Sequence, residues 1–169
     1  MKNTWQVILA GEGGQGLIVG GRILARAAIL EGKNVVQTQS YGISARGGYS
    51  EAQVIISDRE IYYPKCDNPN VVLALNQTAY DRYRPYEDCL IIYERDVVTA
   101  LGAGNEISYP FNRTTLDLGR ANLINMLFLG VILKNVSLVQ IDSMLQAIRE
   151  QFPRNFENNM RAFQVGLES

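Results

Sequence analysis

The sequence predicts an α/β fold, a three-layer α/β/α Rossmann-like domain on a mixed, mostly parallel sheet. Three observations predict it. A short apolar run, Gln6 to Ala10, enters the glycine-rich segment Gly11-Glu12-Gly13-Gly14-Gln15-Gly16 and then a helix-period stretch, Leu17 to Glu31. Further apolar runs recur at Asn34 to Gln39, Ala52 to Ser57, Val71 to Leu75 and Cys89 to Tyr93. Helical patterns separate several of these runs, as in strand-helix-strand units.

The elements follow in order. Gln6 to Ala10 reads as a buried strand ending at glycine. Leu17, Ile23, Leu24, Ala27 and Leu30 suit one buried helical face, and Gly32 is a stop signal. Asn34 to Gln39 completes a βαβ unit, expected to be parallel and right-handed. After the glycine-rich loop Tyr41 to Ser50, the strand Ala52 to Ser57 is expected to pair with a short strand, Ile61 to Tyr63, stopped by Pro64. So short a connection favours an antiparallel hairpin, which makes the sheet mixed. Val71 to Leu75 is the next strand, and Asn76 is a suitable N-cap for a helix over Gln77 to Tyr83. Cys89 to Tyr93 and Glu106 to Pro110 are the remaining strands. Arg120 to Lys134 is apolar nearly all round and reads as a buried helix. Ser137 with Gln140 suggests a capping box for a helix to about Phe152, with Leu138, Ile141, Leu145 and Ile148 on its buried face. Asn155 to Gly166 suggests a final short helix.

Composition narrows the chemistry. The chain has 169 residues, which suits one domain spanning residues 1–169. Hydrophobic residues make up 47% and charged residues 20%, with net charge -1, so no global field draws in nucleic acid or an anionic membrane. There is no histidine, and the 2 cysteines, Cys66 and Cys89, lack CxxC spacing. A structural zinc site or a cubane cluster needs about four ligands of those kinds, so one copy of the chain is expected to bind no metal. A Ser-His or Cys-His nucleophile pair is excluded as well, so no catalytic residue is assigned. Met1 to Gln6 has no apolar leader, and the apolar stretch Ala121 to Leu133 is too short to span a bilayer. A soluble, cytoplasmic protein is expected.

Three constellations could carry function. Gly11, Gly13 and Gly16 fit G-x-G-x-x-G between a strand and a helix, where backbone N–H groups and the helix N-terminus attract an anion. A dinucleotide site would also want an acid at the end of the second strand. That end reads Gln37-Thr38-Gln39-Ser40, and Glu12 would oppose a phosphate, so a stand-alone Rossmann-like nucleotide-binding module is the alternative reading. The bland reading is a tight strand-helix turn. The second constellation is Ser40 to Ser50, in which Arg46, followed by Gly47 and Gly48, can offer a guanidinium beside backbone donors. A plain surface hairpin explains it equally well. Both segments should leave the same end of the sheet, where open α/β sheets bind ligands. The third is Lys65-Cys66-Asp67 with Asp81, Arg82 and Arg84, where Cys66 is either reactive or a small packed side chain. Cys89 reads as core, and Tyr62, Tyr63, Tyr80, Tyr83 and Tyr86 suit either an interface or edge packing.

Taken together, these segments resemble a known family. Gly11 to Gly16, Gln39-Ser40-Tyr41-Gly42, Ala45-Arg46-Gly47-Gly48 with Ser50, Tyr63-Pro64, Val71 to Leu75 with Asn76, and Asn125-Met126-Leu127-Phe128-Leu129-Gly130 are similar to the gamma subunit of 2-oxoacid:ferredoxin oxidoreductases. The resemblance covers most of the chain. One departure is Ile43-Ser44, where the family pattern has Pro-Glu.

The resemblance implies a multi-subunit enzyme that decarboxylates a 2-oxoacid on thiamine diphosphate with magnesium. Electrons then pass through iron-sulfur clusters to ferredoxin, and acyl-coenzyme A is released. This chain alone would hold none of those cofactors. Alpha, beta and ferredoxin-like delta subunits would be its partners, and an exposed docking face would let the isolated chain homodimerise. Its own contribution would be assembly and coenzyme A access. The wording of the motifs is closest to 2-oxoglutarate and branched-chain types, with 2-oxoglutarate the expected substrate and pyruvate also open. By the same resemblance an anion-facing role falls on Gly13, Gly14, Gln15, Gly16, Arg46, Gly47 and Gly48, with Gly11, Ser40, Tyr41 and Asn76 in the same cleft.

Overall fold

The computed structural model describes residues 4–41, 48–102 and 104–169, with the backbone alone at Tyr41. Among these residues six strands form one sheet: β1 (Thr4–Glu12), β2 (Asn34–Tyr41), β3 (Tyr49–Ser57), β4 (Val71–Ala74), β5 (Leu90–Glu94) and β6 (Glu106–Tyr109). Their spatial order is β2-β3-β1-β4-β5-β6. β3 runs antiparallel to both β1 and β2, while β1, β4, β5 and β6 are parallel neighbours. The mixed, mostly parallel α/β sheet expected from the sequence is therefore present.

The expected hairpin is a different matter. Ile61 to Tyr63 is not a strand. β3 does supply the antiparallel element, but its two edges are occupied along their length by β1 and β2, from Thr4↔Ser57 and Asn34↔Ser57 onward. No edge is left for a third partner. β1 and β2 of the expected βαβ unit do run in the same direction, with β3 inserted between them.

Period-2 alternation of β1 and β3 sorts their side chains between two layers. Val7 and Leu9 of β1, with Ala52, Val54 and Ile56 of β3, face a large core shared with α1 (Leu17–Leu30). Ile8 and Ala10 face a smaller cluster under α2 (Gln77–Tyr83). A short helix not expected from the sequence, α3 (Phe111–Asp117), follows β6. A 3-10 turn over Ala121–Leu123 then leads into α4 (Ile124–Asn135), which is buried from Ile124 to Leu133. An apolar helix of this kind must be enclosed on all sides. α1 and α6 (Phe156–Glu168) pack against it, and α5 (Ile141–Gln151) packs on both of those helices.

α4 and α6 touch backbone to backbone. A Cβ on Gly130 would strike the Phe163 carbonyl oxygen, and one on Gly166 would strike that of Leu127. Near α5 two expectations fail. Gln140, not Ser137, precedes the helix, and no side chain caps it; the Gln140 N–H donates instead to Glu31 Oε1 at 2.6 Å. Ile141 is 49% exposed, while Leu138 and Ile148 are buried and Leu145 packs against the core as expected, and Met144 and Ala147 complete the buried face. No helix among the described residues is long and apolar enough to cross a membrane.

Candidate functional site at one end of the sheet

The glycine segment folds as a tight turn between β1 and α1. Gly16 sits in the left-handed region at φ 71° as the N-cap of α1, and Gly14 lies at φ 96°. Both conformations favour glycine. Gln15 folds back over the turn, where its Oε1 accepts the Glu12 N–H at 2.7 Å. Gly11 is needed for that brace, because a Cβ there would collide with Gln15 Oε1. The first backbone bond of α1 runs from Gly20 N–H to Gly16 O at 2.8 Å. The N–H groups of Leu17, Ile18 and Val19 therefore lie ahead of the helical ladder, and among the described residues no side chain caps them. Such an end attracts negative charge.

The second segment meets the first. The Gly13 N–H donates to the Gly48 carbonyl at 3.0 Å, and Glu12 pairs with Tyr49 in the β1–β3 register. Ser40 and Tyr41 close β2 at this same end of the sheet. Asn76 follows the parallel strand β4 there, and its Oδ1 accepts the Ala79 N–H at 2.9 Å as the N-cap of α2. Gly11, Gly13, Gly14, Gln15, Gly16, Ser40, Tyr41, Gly48 and Asn76 thus gather at the carboxyl ends of β1, β2 and β4. Arg46 and Gly47 lie outside the described residues.

On the α2 side of the same end, a cleft of about 320 Å³ is lined by Thr38, Ser40, Glu51, Gln53, Lys65 and Arg82, among others. The sequence alone marked Lys65 and Arg82 as a separate constellation. Here they share a wall with Ser40, which separation along the chain had hidden. Arg82 is held in place by aromatic rings, its Cζ lying 5.6 Å from the Tyr49 ring centroid and 5.5 Å from that of Tyr83.

Behind that arginine lies a buried carboxylate. Glu51 is 1% exposed. Its Oε2 accepts from Tyr49 OH at 2.5 Å and Tyr83 OH at 2.6 Å, and its Oε1 accepts from Gln53 Nε2 at 2.7 Å. Burial first, then the bonds to Glu51, pushes both phenols well above their ordinary range. Neither can serve as a base at neutral pH.

Cys66 belongs to the same neighbourhood. Its N–H donates to Gln53 Oε1 at 2.9 Å. Burial, with the charges of Glu51 and Asp67 adding to it, pushes the thiol up to about 12. That leaves almost no thiolate at neutral pH, so the packed reading applies. Cys89 is buried in the smaller core as expected. Tyr80 and Tyr83 are packed inside, whereas Tyr62 is 86% exposed and Tyr63 59%. Among the described residues no three His, Cys, Asp or Glu side chains form a metal-sized cluster. With no histidine and 2 cysteines, the donor set does not fit an iron-sulfur cluster held by this chain.

Comparison with known proteins places this arrangement. A family model described as pyruvate ferredoxin/flavodoxin oxidoreductase matches residues 6–169. The 2-oxoglutarate synthase subunit KorC of Archaeoglobus fulgidus is 38% identical over 171 residues, covering 99% of this chain and 89% of that protein. The crystal structure of a keto/oxoacid ferredoxin oxidoreductase gamma subunit from Geobacter sulfurreducens superposes with a TM-score of 0.83 at 36% identity, covering 97% of this chain and 96% of that one. The fold also recurs, with a TM-score of 0.89 at 22% identity, in a 2-oxoglutarate:ferredoxin oxidoreductase from Magnetococcus marinus solved with 2-oxoglutarate, coenzyme A and succinyl-CoA bound. This chain covers 31% of that longer one.

Proposed function

Because this chain belongs to the pyruvate ferredoxin/flavodoxin oxidoreductase family, we propose that residues 1–169 act as one gamma-type unit of a 2-oxoacid:ferredoxin oxidoreductase acting on 2-oxoglutarate. The near end-to-end match to a 2-oxoglutarate synthase subunit supports that substrate. The relative of known structure that is itself a gamma subunit supports the division of labour. In the assembled enzyme, thiamine diphosphate, magnesium and the clusters belong to partner subunits of alpha, beta and ferredoxin-like delta type. Thiamine diphosphate supplies the decarboxylation chemistry, the clusters carry electrons to ferredoxin, and the site of action is the cytoplasm.

This chain's share is to seat coenzyme A. The observation that carries this reading is the Gly13 N–H to Gly48 O bond, which fastens the arginine-bearing segment to the uncapped start of α1. Backbone donors at Leu17, Ile18 and Val19 then point where phosphate oxygens would lie. Gly13, Gly14 and Gly16 let a ligand approach the backbone, and Gln15 holds the turn in shape. Gly48 borders this end of the sheet from the other loop, with Ser40, Tyr41 and Asn76 at the same end, and Arg46 and Gly47 keep the anion-facing role that the family resemblance gives them. No step of bond making or breaking falls to these side chains.

The test is reconstitution. Adding this chain to its partner subunits should restore acyl-coenzyme A synthesis, and Arg46→Ala should raise the KM for coenzyme A roughly tenfold or more, as loss of a charge-assisted hydrogen bond would. Full turnover by the partners without this chain, or an unchanged KM in an intact Arg46→Ala complex, contradicts the reading.

A further inference from the structure

Asn125 is the second residue of α4 and stands among buried apolar neighbours from Ile124 to Leu133, itself only 5% exposed. A polar amide in that position costs free energy unless its hydrogen-bonding groups are used. One is used. Its Oδ1 accepts the Met126 N–H at 3.0 Å. A backbone N–H can only donate, so the oxygen must face it, and the orientation of the amide follows. The nitrogen is therefore turned the other way, against the N-cap of α1. If Gly16 carried a Cβ, its nearest neighbour would be Asn125 Nδ2 at 2.9 Å, with Asn125 Cβ at 3.0 Å and Cγ at 3.1 Å.

That Nδ2 makes no hydrogen bond to any described residue. Nor is it sealed away, since no fully buried side-chain nitrogen or oxygen among the described residues lacks a partner. A fixed donor thus opens beside Gly16, next to three N–H groups that no described side chain caps, at the start of a 14-residue helix with no acid in its first turn. We infer that the Asn125 Nδ2–H group is a side-chain donor of the anion cradle at the start of α1, serving a phosphate oxygen alongside the N–H groups of Leu17, Ile18 and Val19.

The chemistry of the ligand follows from the groups offered. Four donors and a helix N-terminus call for an acceptor-only group such as a phosphate or pyrophosphate. Glu12, exposed on the turn, is the opposing charge close by. The inference rests on the coenzyme A reading and deepens it by naming the phosphates as the part held here. It also gives the Asn125 to Gly130 segment two separate jobs, with Asn125 at the cradle and Gly130 at the contact with α6.

Two experiments test it. In the assembled complex, Asn125→Asp keeps the shape and the acceptor for Met126 N–H but replaces the donor with a negative charge. The KM for coenzyme A should rise roughly tenfold to a hundredfold, with the KM for the 2-oxoacid unchanged. An unchanged KM for coenzyme A in an intact complex overturns the inference. If Arg46→Ala still raises that KM, only the role of Asn125 falls; if neither variant does, the coenzyme A reading falls with it. Should Asn125→Asp fail to assemble, nuclear magnetic resonance on the full wild-type chain decides. The assigned side-chain N–H pair of Asn125 should shift on titration with pyrophosphate, together with the amides of Leu17 to Val19, and should ignore pantetheine, which lacks phosphate. An Asn125 pair that stays still, or that responds to pantetheine alone, overturns the inference.

Discussion

At Glu51 a carboxylate lies almost wholly out of water, and its stability there depends on the donors that surround it. Tyr49, Tyr83 and Gln53 supply them. Tyr83→Phe removes one without changing the packed ring and should cost about 1–3 kcal/mol, measured by urea unfolding. Tyr83 and Tyr49 share one oxygen of Glu51, so the double variant Tyr49→Phe, Tyr83→Phe should depart from additivity. The same cluster sets a pH dependence. Cys66, Tyr49 and Tyr83 all have folded-state values raised above their ordinary ones, so the fold favours their protonated forms. That stability is complete below the ordinary values of 9.0 for the thiol and 10.0 for the phenols. Above them the unfolded chain loses protons that the folded chain keeps, and stability falls as pH rises. Thermal unfolding between pH 8 and about 12 should show a declining midpoint, less steep for Cys66→Ala. A flat profile across that window would contradict the assignment.

Among the elements, α4 shows most clearly what local pattern reveals and what it hides. Its burial is plain from the run of apolar residues, as is the glycine turn before α1. What α4 touches is not plain. Gly130 meets the backbone of α6, and Asn125 meets Gly16, a residue from the other end of the chain. Gly130→Ala forces a Cβ into the Phe163 carbonyl, and should destabilise the chain by about 3 kcal/mol or more by chemical denaturation. Two helix starts were misread or missed for one shared reason. α3 has no local cap, and its Asn112 N–H is satisfied by Glu94 Oε2 at 2.8 Å from the end of β5. α5 likewise begins where Glu31 accepts the Gln140 N–H. Caps supplied from distant elements leave no signature beside the helix they start. Ile61 to Tyr63 erred in the opposite direction, since β-favouring residues do not pair with a strand, here β3, whose two edges are already occupied.

Across the whole molecule, the strand order β2-β3-β1-β4-β5-β6 is what makes the site. It brings the glycine turn, the end of β2, the start of β3 and the cap of α2 to one end of the sheet, although they are spread from Gly11 to Asn76. The two loops were legible from their glycines and their arginine. Their juncture through Gly13 and Gly48 was not, because it depends on β3 inserting beside β1. The meeting of Lys65 and Arg82 with Ser40 depends on the same insertion and on the placement of α2. The central claim is that this end of the sheet seats coenzyme A within a larger oxidoreductase. Hydrogen–deuterium exchange on the assembled complex, with and without coenzyme A, tests it most directly. The amides from Gly13 to Val19 should exchange more slowly when coenzyme A is present, and unchanged exchange there in a complex whose turnover depends on coenzyme A would contradict the claim.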